Sequence, residues 1–301
     1  MAILVTGGCG YIGSAVTAEL IAAGHDVVVL DNLSRGHKEL LHPKAIFVQA
    51  DIGDAAALKK LFAENKIEAI IHLAGYIQVE ESMRNPEIYV ENNVEKPKIL
   101  VQQAIEAGVN KFIFSSSAAV YGQPDNMPIK ESDAANPINT YGQSKLDFEN
   151  YLLQQQNSGL MKYAALRYFN ASGATEFSRE EHQPETHLIP IALEAAAGER
   201  ESMAIYGDDY ETADGTNIRD YIHVQDIAAA HLAVLNNLDK LPQTGALSEY
   251  AFNIGDGKGF SVKEVLSQVE KTTGVKLNIK ISGRRQGDPA VLIADATKLS
   301  A

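Results

Sequence analysis

A single cysteine, Cys9, and no tryptophan occur among 301 residues. One thiol cannot close an intrachain disulfide or build a cysteine-based metal cluster. Basic residues are also scarce: 26 Lys and Arg stand against 39 Asp and Glu, a formal charge of −13. Such a field repels polyanions on average, which speaks against a nucleic-acid partner or an anionic membrane surface. A small anionic substrate stays compatible with it where a few Arg are placed locally. No apolar run approaches the ~20 residues that a membrane helix needs. The opening Met1-Ala-Ile-Leu-Val-Thr-Gly-Gly has no basic region ahead of its glycines and does not read as a signal peptide. The expectation is a soluble protein of a reducing, cytoplasmic compartment. Hydrophobic residues at 45% and charged ones at 22% allow a large core, and the length suggests two lobes.

The first half alternates short apolar runs with helical patterns. Strands are expected at 2–6, 27–30, 45–49, 69–73, 111–115 and 162–166. Helices are expected at 11–24, 55–64, 86–108 and 141–156, with Pro97 kinking or breaking the third. Continuous apolar strands separated by helices predict a parallel sheet covered on both faces. After Phe169 the texture turns polar, and elements scatter: helical at 188–197, 226–238 and 261–274, extended at 202–206 and 276–281. The expected fold class is α/β. A Rossmann-type doubly wound parallel sheet spans 1–170, with the chain returning to it around 216–238. A smaller α/β substrate-binding lobe spans 171–301.

Thr6-Gly7-Gly8-Cys9-Gly10-Tyr11-Ile12-Gly13 joins the first strand to the first helix. Gly7 allows a tight turn, Gly10 lets backbone approach a pyrophosphate, and Gly13 lets the helix pack close to the strand. The helix N-terminus then offers N–H groups and partial positive charge to the phosphates. Asp31 ends the second strand, where an acid binds the adenosine ribose hydroxyls. A carboxylate there repels a 2′-phosphate and favours NAD over NADP; Arg35 weakens that preference slightly. Cys9 reads as a small residue in a crowded loop.

Tyr141 and Lys145 are four apart, so on a helix they share one face. A tyrosine with a pKa near ~10 is a poor base at neutral pH. A nearby ammonium and a hydroxyl donor are expected to lower it. The donor candidate is Ser117, just past the fifth strand, at the end where ligands of parallel sheets bind. No G-x-S-x-G elbow is present for serine hydrolysis. The eight His show no H-E-x-x-H or related spacing, and no metal is expected.

TGGCGYIG, HLAG, FIFSSSAAVYG, YGQSK, LRYFNASGA, GTNIRDYIHV and RRQGDP together resemble the extended short-chain dehydrogenase/reductase family, most closely its nucleotide-sugar 4-epimerases. The similarity runs from residue 2 to about 298. It implies tightly held NAD, inversion at C4 of a UDP-hexose such as UDP-galactose, and commonly a homodimer through the helices near 86–108 and 141–157. Tyr141 is then the base, Lys145 lowers its pKa and holds the nicotinamide ribose, and Ser117 hydrogen-bonds the reacting oxygen. Further cofactor contacts implied are Tyr11, Ile12, Asn32, Ser34, Arg35, Gly36, Asp51, Ile52, Leu73, Ala74, Gly75, Asn92, Tyr168 and Phe169. Implied UDP-sugar contacts are Asn170, His187, Leu188, Ala204, Ile205, Tyr206, Arg219, Arg285 and Asp288. Arg284 reads as solvated surface.

The family position that lines the sugar pocket after R-x-G-D, a Tyr in some members, falls at Val291, with Leu292 as the alternative placement. A smaller side chain there leaves room at C2, so N-acetylated UDP-sugars also fit. Ile77 stands where many members have Lys, and Glu80 where glycine is usual. The family normally continues for roughly thirty residues beyond Leu299, so a terminal piece of the substrate lobe is expected to be missing, at a cost in stability. Related dehydratases and decarboxylases place proton-transferring side chains after the serine, whereas Ala118 and Ala119 can transfer none. A 4-reductase remains open on the sequence. A non-catalytic NAD-binding sensor is the rival of another class; such proteins commonly lose the Tyr or the Lys.

Overall fold

The computed structural model describes residues 1–285 and 288–300, so Gln286 and Gly287 of the RRQGDP run lie outside the described residues. Apolar, β-branched segments form the central strands: β1 Ala2–Thr6, β2 Asp26–Asp31, β3 Ile46–Gln49, β4 Ile67–His72, β5 Lys111–Ser117 and β6 Lys162–Tyr168. The remaining strands are β7 Asn170–Ser172, β8 Met203–Tyr206, β9 Ile218–His223, β10 Ala251–Ile254, β11 Gly259–Ser261, β12 Ile279–Ser282 and β13 Val291–Leu292. Among the described residues the main sheet has seven strands in the order β10-β6-β5-β4-β1-β2-β3. All its pairs are parallel. The order reverses between β1 and β4, which puts a crevice at the carboxyl ends of those strands.

Helices cover both faces. Helix α1 (Tyr11–Ala22) and α8 (Val224–Asn237) bury one apolar layer around Val5, Val29, Ile71 and Ile227. Helices α2 (Ala55–Glu64), α5 (Lys96–Glu106) and α6 (Thr140–Asn157) bury the other around Leu4, Ile70, Phe112 and Phe148. Asp54 starts α2 by accepting from the Ala56 and Ala57 N–H groups at 3.0 Å each, a side-chain N-cap. Two short helices, α3 (Val79–Arg84) and α4 (Pro86–Val90), precede α5.

Of the kink or break expected at Pro97, the break does not occur. Residues 91–95 form a widened π turn, the Lys96 N–H reaches back to the Glu91 carbonyl, and the helix continues into α5. Proline has no N–H to return to the Asn93 carbonyl, and the wider turn absorbs that missing bond. One consequence is that two successive asparagines face different ways. Asn92 lines the cavity described below. Asn93 turns inward, accepting from the Tyr76 N–H at 2.8 Å and donating to the Tyr76 carbonyl at 2.9 Å.

The second lobe has its own small core of Ala192, Met203, Ile205, Leu266 and Val269. It lies between α7 (Leu188–Ala197), the β8–β12 pair and α10 (Val262–Thr273), whose capping box joins Ser261 and Glu264. A further small sheet joins β11, β9 and β13, with β7 beside β9. Helices α9 (Leu247–Tyr250) and α11 (Thr297–Ser300) are single turns. Strands β9 and β10 and helix α3 had no counterpart in the sequence reading. Strand β10 extends the main sheet beside β6.

Candidate active site

One cavity of about 2160 Å³ runs over the carboxyl ends of the central strands and beneath the second lobe. Its first wall is the β1–α1 loop. A Cβ on Gly7, held at φ +73°, would come within 2.6 Å of the Ala74 nitrogen. A Cβ on Gly13 would lie 2.0 Å from the Gly7 carbonyl oxygen. Backbone therefore closes both positions to any larger residue. Gly10 would meet only that same oxygen, at 3.3 Å, and keeps room in front. Helix α1 starts without a side-chain cap and without an acid in its first turn. Its first N–H groups and positive end fit a diphosphate.

The end of β2 forms the next stretch. Asp31 is buried, and burial pushes its carboxyl pKa up while the N–H groups of Leu33 and Cys9 pull it down. Those donors lie at 2.8 and 3.0 Å, leaving lone pairs on both oxygens for ribose hydroxyls. Asn32, Ser34, Arg35 and Gly36 line the wall beside it, with Ile52 and Leu73-Ala74-Gly75 opposite. Arg35 is drawn to Glu81, Nη2 to Oε1 2.9 Å, and lies 5.0 Å from the Tyr76 ring centroid. A guanidinium already engaged by a carboxylate is poorly placed for a 2′-phosphate. The cradle fits NAD.

Asp51 is an expected contact that falls outside the wall. Its carboxylate is taken by the Gly53 N–H at 2.8 Å, Asn32 Nδ2 at 2.9 Å and Lys96 Nζ at 3.0 Å. Burial raises its pKa, but these three donors together bring it below the usual value. Its position suits it to orient Asn32 from behind.

Tyr141 and Lys145 face the cavity from the first turns of α6, and Ser117 faces it from the end of β5. Asn139 caps α6 by accepting from the Gly142 N–H at 2.8 Å, and Ser82 Oγ accepts from the Tyr141 N–H at 3.1 Å. Lys145 Nζ donates to the Ser115 carbonyl at 2.9 Å and lies 5.8 Å from the Tyr141 ring centroid. Burial lowers the lysine to about 8, with Glu149 opposing. The expected depression of the Tyr141 pKa is not what this geometry gives. Burial raises it, and Ser117 supplies the counteracting pull.

Tyr168 and Phe169 complete this half of the cavity. Tyr168 hydrogen-bonds His231 Nε2 at 2.6 Å, while His231 Nδ1 is 2.8 Å from the Ile227 carbonyl. A carbonyl only accepts, so Nδ1 carries the proton and the tyrosine hydroxyl donates to Nε2. Burial lowers His231 to about 4, consistent with a neutral ring.

The second lobe supplies Asn170, His187 and Leu188, then Ala204, Ile205 and Tyr206, then Arg219, Arg285 and Asp288. Arg219 is ion-paired with Asp288, and Arg285 lies 4.0 Å from the Tyr206 ring centroid. Arg284 is partly exposed and binds Asp209 at 2.7 Å. Val291 is the second expected contact outside the wall. The adjacent Leu292 lines the cavity instead, since successive residues of a strand point to opposite faces. Ile77 and Glu80 also line the cavity, with Glu80 paired to Arg84 at 3.4 Å.

Sequence reasoning missed a cluster in the 180–187 loop. Ligand atoms of Glu180, His182 and His187 all lie within 4.8 Å of one another. One ring nitrogen of each His meets a carboxylate: His182 Nδ1 pairs with Glu180, and His187 Nδ1 lies 2.7 Å from Glu185 Oε1. Burial lowers the His187 pKa, but Glu185 and Glu180 outweigh it and raise it overall. A second omission is the buried Glu149–Arg167 pair behind Lys145. Its sequence signal was available: an arginine inside the apolar run 162–168, and a glutamate one turn beyond Lys145.

Comparisons with known proteins place the chain in a family. Residues 3–255 match the model of the NAD dependent epimerase/dehydratase family. A UDP-glucose 4-epimerase of Lacticaseibacillus casei is 46% identical over 300 residues, covering 99% of this chain and 89% of the relative. The crystal structure of UDP-glucose 4-epimerase from Brucella ovis in complex with NAD superposes with a TM-score of 0.93 at 42% identity, covering 99% of this chain and 91% of that one. The UDP-Glc/GlcNAc 4-epimerase of Campylobacter jejuni gives 0.84 at 42% identity, covering 99% and 92%. A family match over residues 3–255 and relatives this similar over nearly the whole chain mean that it belongs to the NAD dependent epimerase/dehydratase family.

Proposed function

We propose that the chain is a UDP-glucose 4-epimerase, which reversibly inverts C4 of a UDP-hexose. One observation carries this reading: a single cavity sets Tyr141, Lys145 and Ser117 against a lobe bearing Arg219 and Arg285, with Ala118 and Ala119 beside the serine. The alanines place no proton-transferring group for an elimination beside the serine. The relatives and solved structures named as UDP-glucose 4-epimerases support the same activity.

NAD, when bound, supplies the hydride acceptor and donor at C4, so no net oxidation results. The first N–H groups of α1 hold its diphosphate, Asp31 with Asn32 and Ser34 to Gly36 takes the adenosine end, and Asn92, Tyr168 and Phe169 shape the far part. Tyr141, once deprotonated to the phenolate, takes the proton of the 4-hydroxyl and returns it as hydride comes back to C4. Lys145 contributes positive charge on the same helix face, and Ser117 hydrogen-bonds the reacting oxygen. Asn170, His187 and Leu188 with Ala204 to Tyr206 cradle the nucleotide, and Arg219 and Arg285 meet the diphosphate. The test is proton NMR of UDP-galactose with the protein and catalytic NAD only. The gluco-epimer is expected without accumulating NADH. No epimer with NAD bound would refute the activity.

Leu292 on the sugar wall favours breadth toward N-acetylated UDP-hexosamines, because leucine leaves space that a tyrosine would fill. Leu292→Tyr is expected to lower kcat/KM for UDP-N-acetylglucosamine by about tenfold or more while sparing UDP-glucose. Equal losses on both sugars would contradict this.

A second copy of the chain is the proposed partner, through the 86–106 helix and α6. Val90 and Ile99 are apolar and exposed on the first of these, the kind of face a partner covers. Light scattering after gel filtration should give twice the chain mass, and Val90→Asp with Ile99→Asp should give the chain mass. A wild-type monomer would overturn the pairing.

No helix among the described residues is long and apolar enough to cross a membrane.

A further inference from the structure

A fully buried charged network lies directly behind the Tyr-Lys-Ser constellation. Glu149 and Arg167 have side chains 0% and 1% exposed. Arg167 Nε and Nη2 donate to the two Glu149 oxygens at 3.0 and 2.6 Å, and Ser116 Oγ donates to Oε1 at 2.5 Å. Arg167 Nη1 donates to the Tyr121 hydroxyl at 2.9 Å, and that hydroxyl donates to Asn253 Oδ1 at 2.7 Å. Two features tie this network to the chemistry. Ser116 is flanked by Ser115, whose carbonyl holds Lys145 Nζ, and by Ser117. Glu149 is one helical turn beyond Lys145, on the same face of α6. A buried ion pair is weak evidence for stability, because desolvation offsets its attraction. Its placement calls for another explanation.

We propose, resting on the epimerase reading, that Glu149 is a positioning residue: its carboxylate fixes the Ser115–Ser117 strand end through Ser116 and supplies the negative charge that keeps the Lys145 ammonium in place. The other titratable groups facing Lys145 cannot substitute. Tyr141 carries no charge until it gives up its own proton, and burial raises its pKa. His72, from β4, is lowered to about 3 by burial and by Lys145, so it adds no charge. Glu149 is the group that opposes the effect of burial on Lys145.

The test uses the full-length enzyme with NAD and three variants. Glu149→Gln keeps size and hydrogen-bonding capacity but loses the charge. Glu149→Asp keeps the charge. Glu149→Gln with Arg167→Met carries the test if a lone buried guanidinium prevents folding of the first. The readouts are kcat and KM across pH, and the titration of Lys145 followed by NMR of labelled lysine, which needs no turnover. The expected result for Glu149→Gln is kcat lowered by about tenfold or more with KM nearly unchanged. Its Lys145 midpoint should fall by about one pH unit or more, carrying the alkaline limb of kcat with it. Glu149→Asp should restore most of that displacement. A folded charge-removing variant whose Lys145 midpoint matches wild type would overturn the proposal. So would equal activity losses in the Gln and Asp variants that merely track their melting temperatures. Wild type without turnover would refute the epimerase reading instead, and the lysine titration would still decide the role of Glu149.

Discussion

Tyr141→Phe is expected to lower kcat by about 10³-fold or more, while NAD content and melting temperature stay near wild type. The substitution removes one oxygen from the cavity wall and leaves the ring. The tyrosine backbone anchors the helix start: its N–H goes to Ser82 and its carbonyl accepts from Ser144 Oγ at 2.8 Å, while its hydroxyl meets only Ser117 at the cavity. The helix start therefore survives the change. What is lost is the proton acceptor. Ala118 and Ala119 offer no replacement, and Lys145 is committed to the Ser115 carbonyl. Retained NAD with kcat within about tenfold of wild type would refute the assignment, because general-base catalysis contributes more than that. Protonation adds a second signature. Lys145 is lowered to about 8 by burial, so its charge is present below that pH and lost above it. The unfolded chain titrates lysine near ~10.4, so it binds more protons between those values, and stability contributed by this group rises with pH across that window. Activity that needs the ammonium falls across the same window. Opposite slopes for stability and rate between about pH 8 and 10 are the expected pattern.

Local spacing carried most of what could be read in advance. The turn before α1 is specified by Gly7 and Gly13, whose neighbours are a few residues away or across one strand. The Tyr141–Lys145 pair needs only the pitch of a helix. Where the reading failed, the deciding contact was distant. Strand β13 has two residues, and which one faces the cavity depends on its pairing with Ile218 and Arg219 of β9. A one-residue shift exchanges Val291 and Leu292. Strand β10 is four buried residues, too short for periodicity to separate strand from helix. At Pro97, propensity named the fault correctly, but the tertiary setting solved it with a wider turn. The loop at 180–187 reads as solvated polar chain, and only folding brings Glu180 to His187. Glu149 and Arg167 differ from these cases. Arg167 was visible as a charge in an apolar run and Glu149 as an acid one turn beyond Lys145, and only their pairing required the fold.

Arg219→Met should raise KM for UDP-galactose by about 10²-fold, because a buried guanidinium gives charge-assisted bonds worth about 1.5–3 kcal/mol each. The argument starts from what the side chain already does. Nη1 donates to the Ile218 carbonyl at 2.7 Å, and Nη2 donates to the Pro289 carbonyl at 2.9 Å and to Asp288. Asp288 is itself held by Asn217 Nδ2 at 2.7 Å. A guanidinium has five N–H donors, so these bonds leave Nε and one Nη1 hydrogen uncommitted. The fork is thus oriented by its own lobe and still able to bind, which is the condition for recognising a diphosphate in a protein of charge −13. A contact to the diphosphate is remote from C4 and changes little as the proton and hydride move. Its loss should fall on binding, with kcat within about threefold of wild type. Competitive inhibition by UDP alone should weaken by the same factor, which locates the loss at the nucleotide rather than the sugar. Asp288→Asn should give a smaller effect in the same direction, since the fork would be less firmly held. A folded Arg219→Met enzyme with unchanged KM and unchanged UDP inhibition would assign this arginine to the architecture of the β9–β13 pair and leave Arg285 to meet the diphosphate.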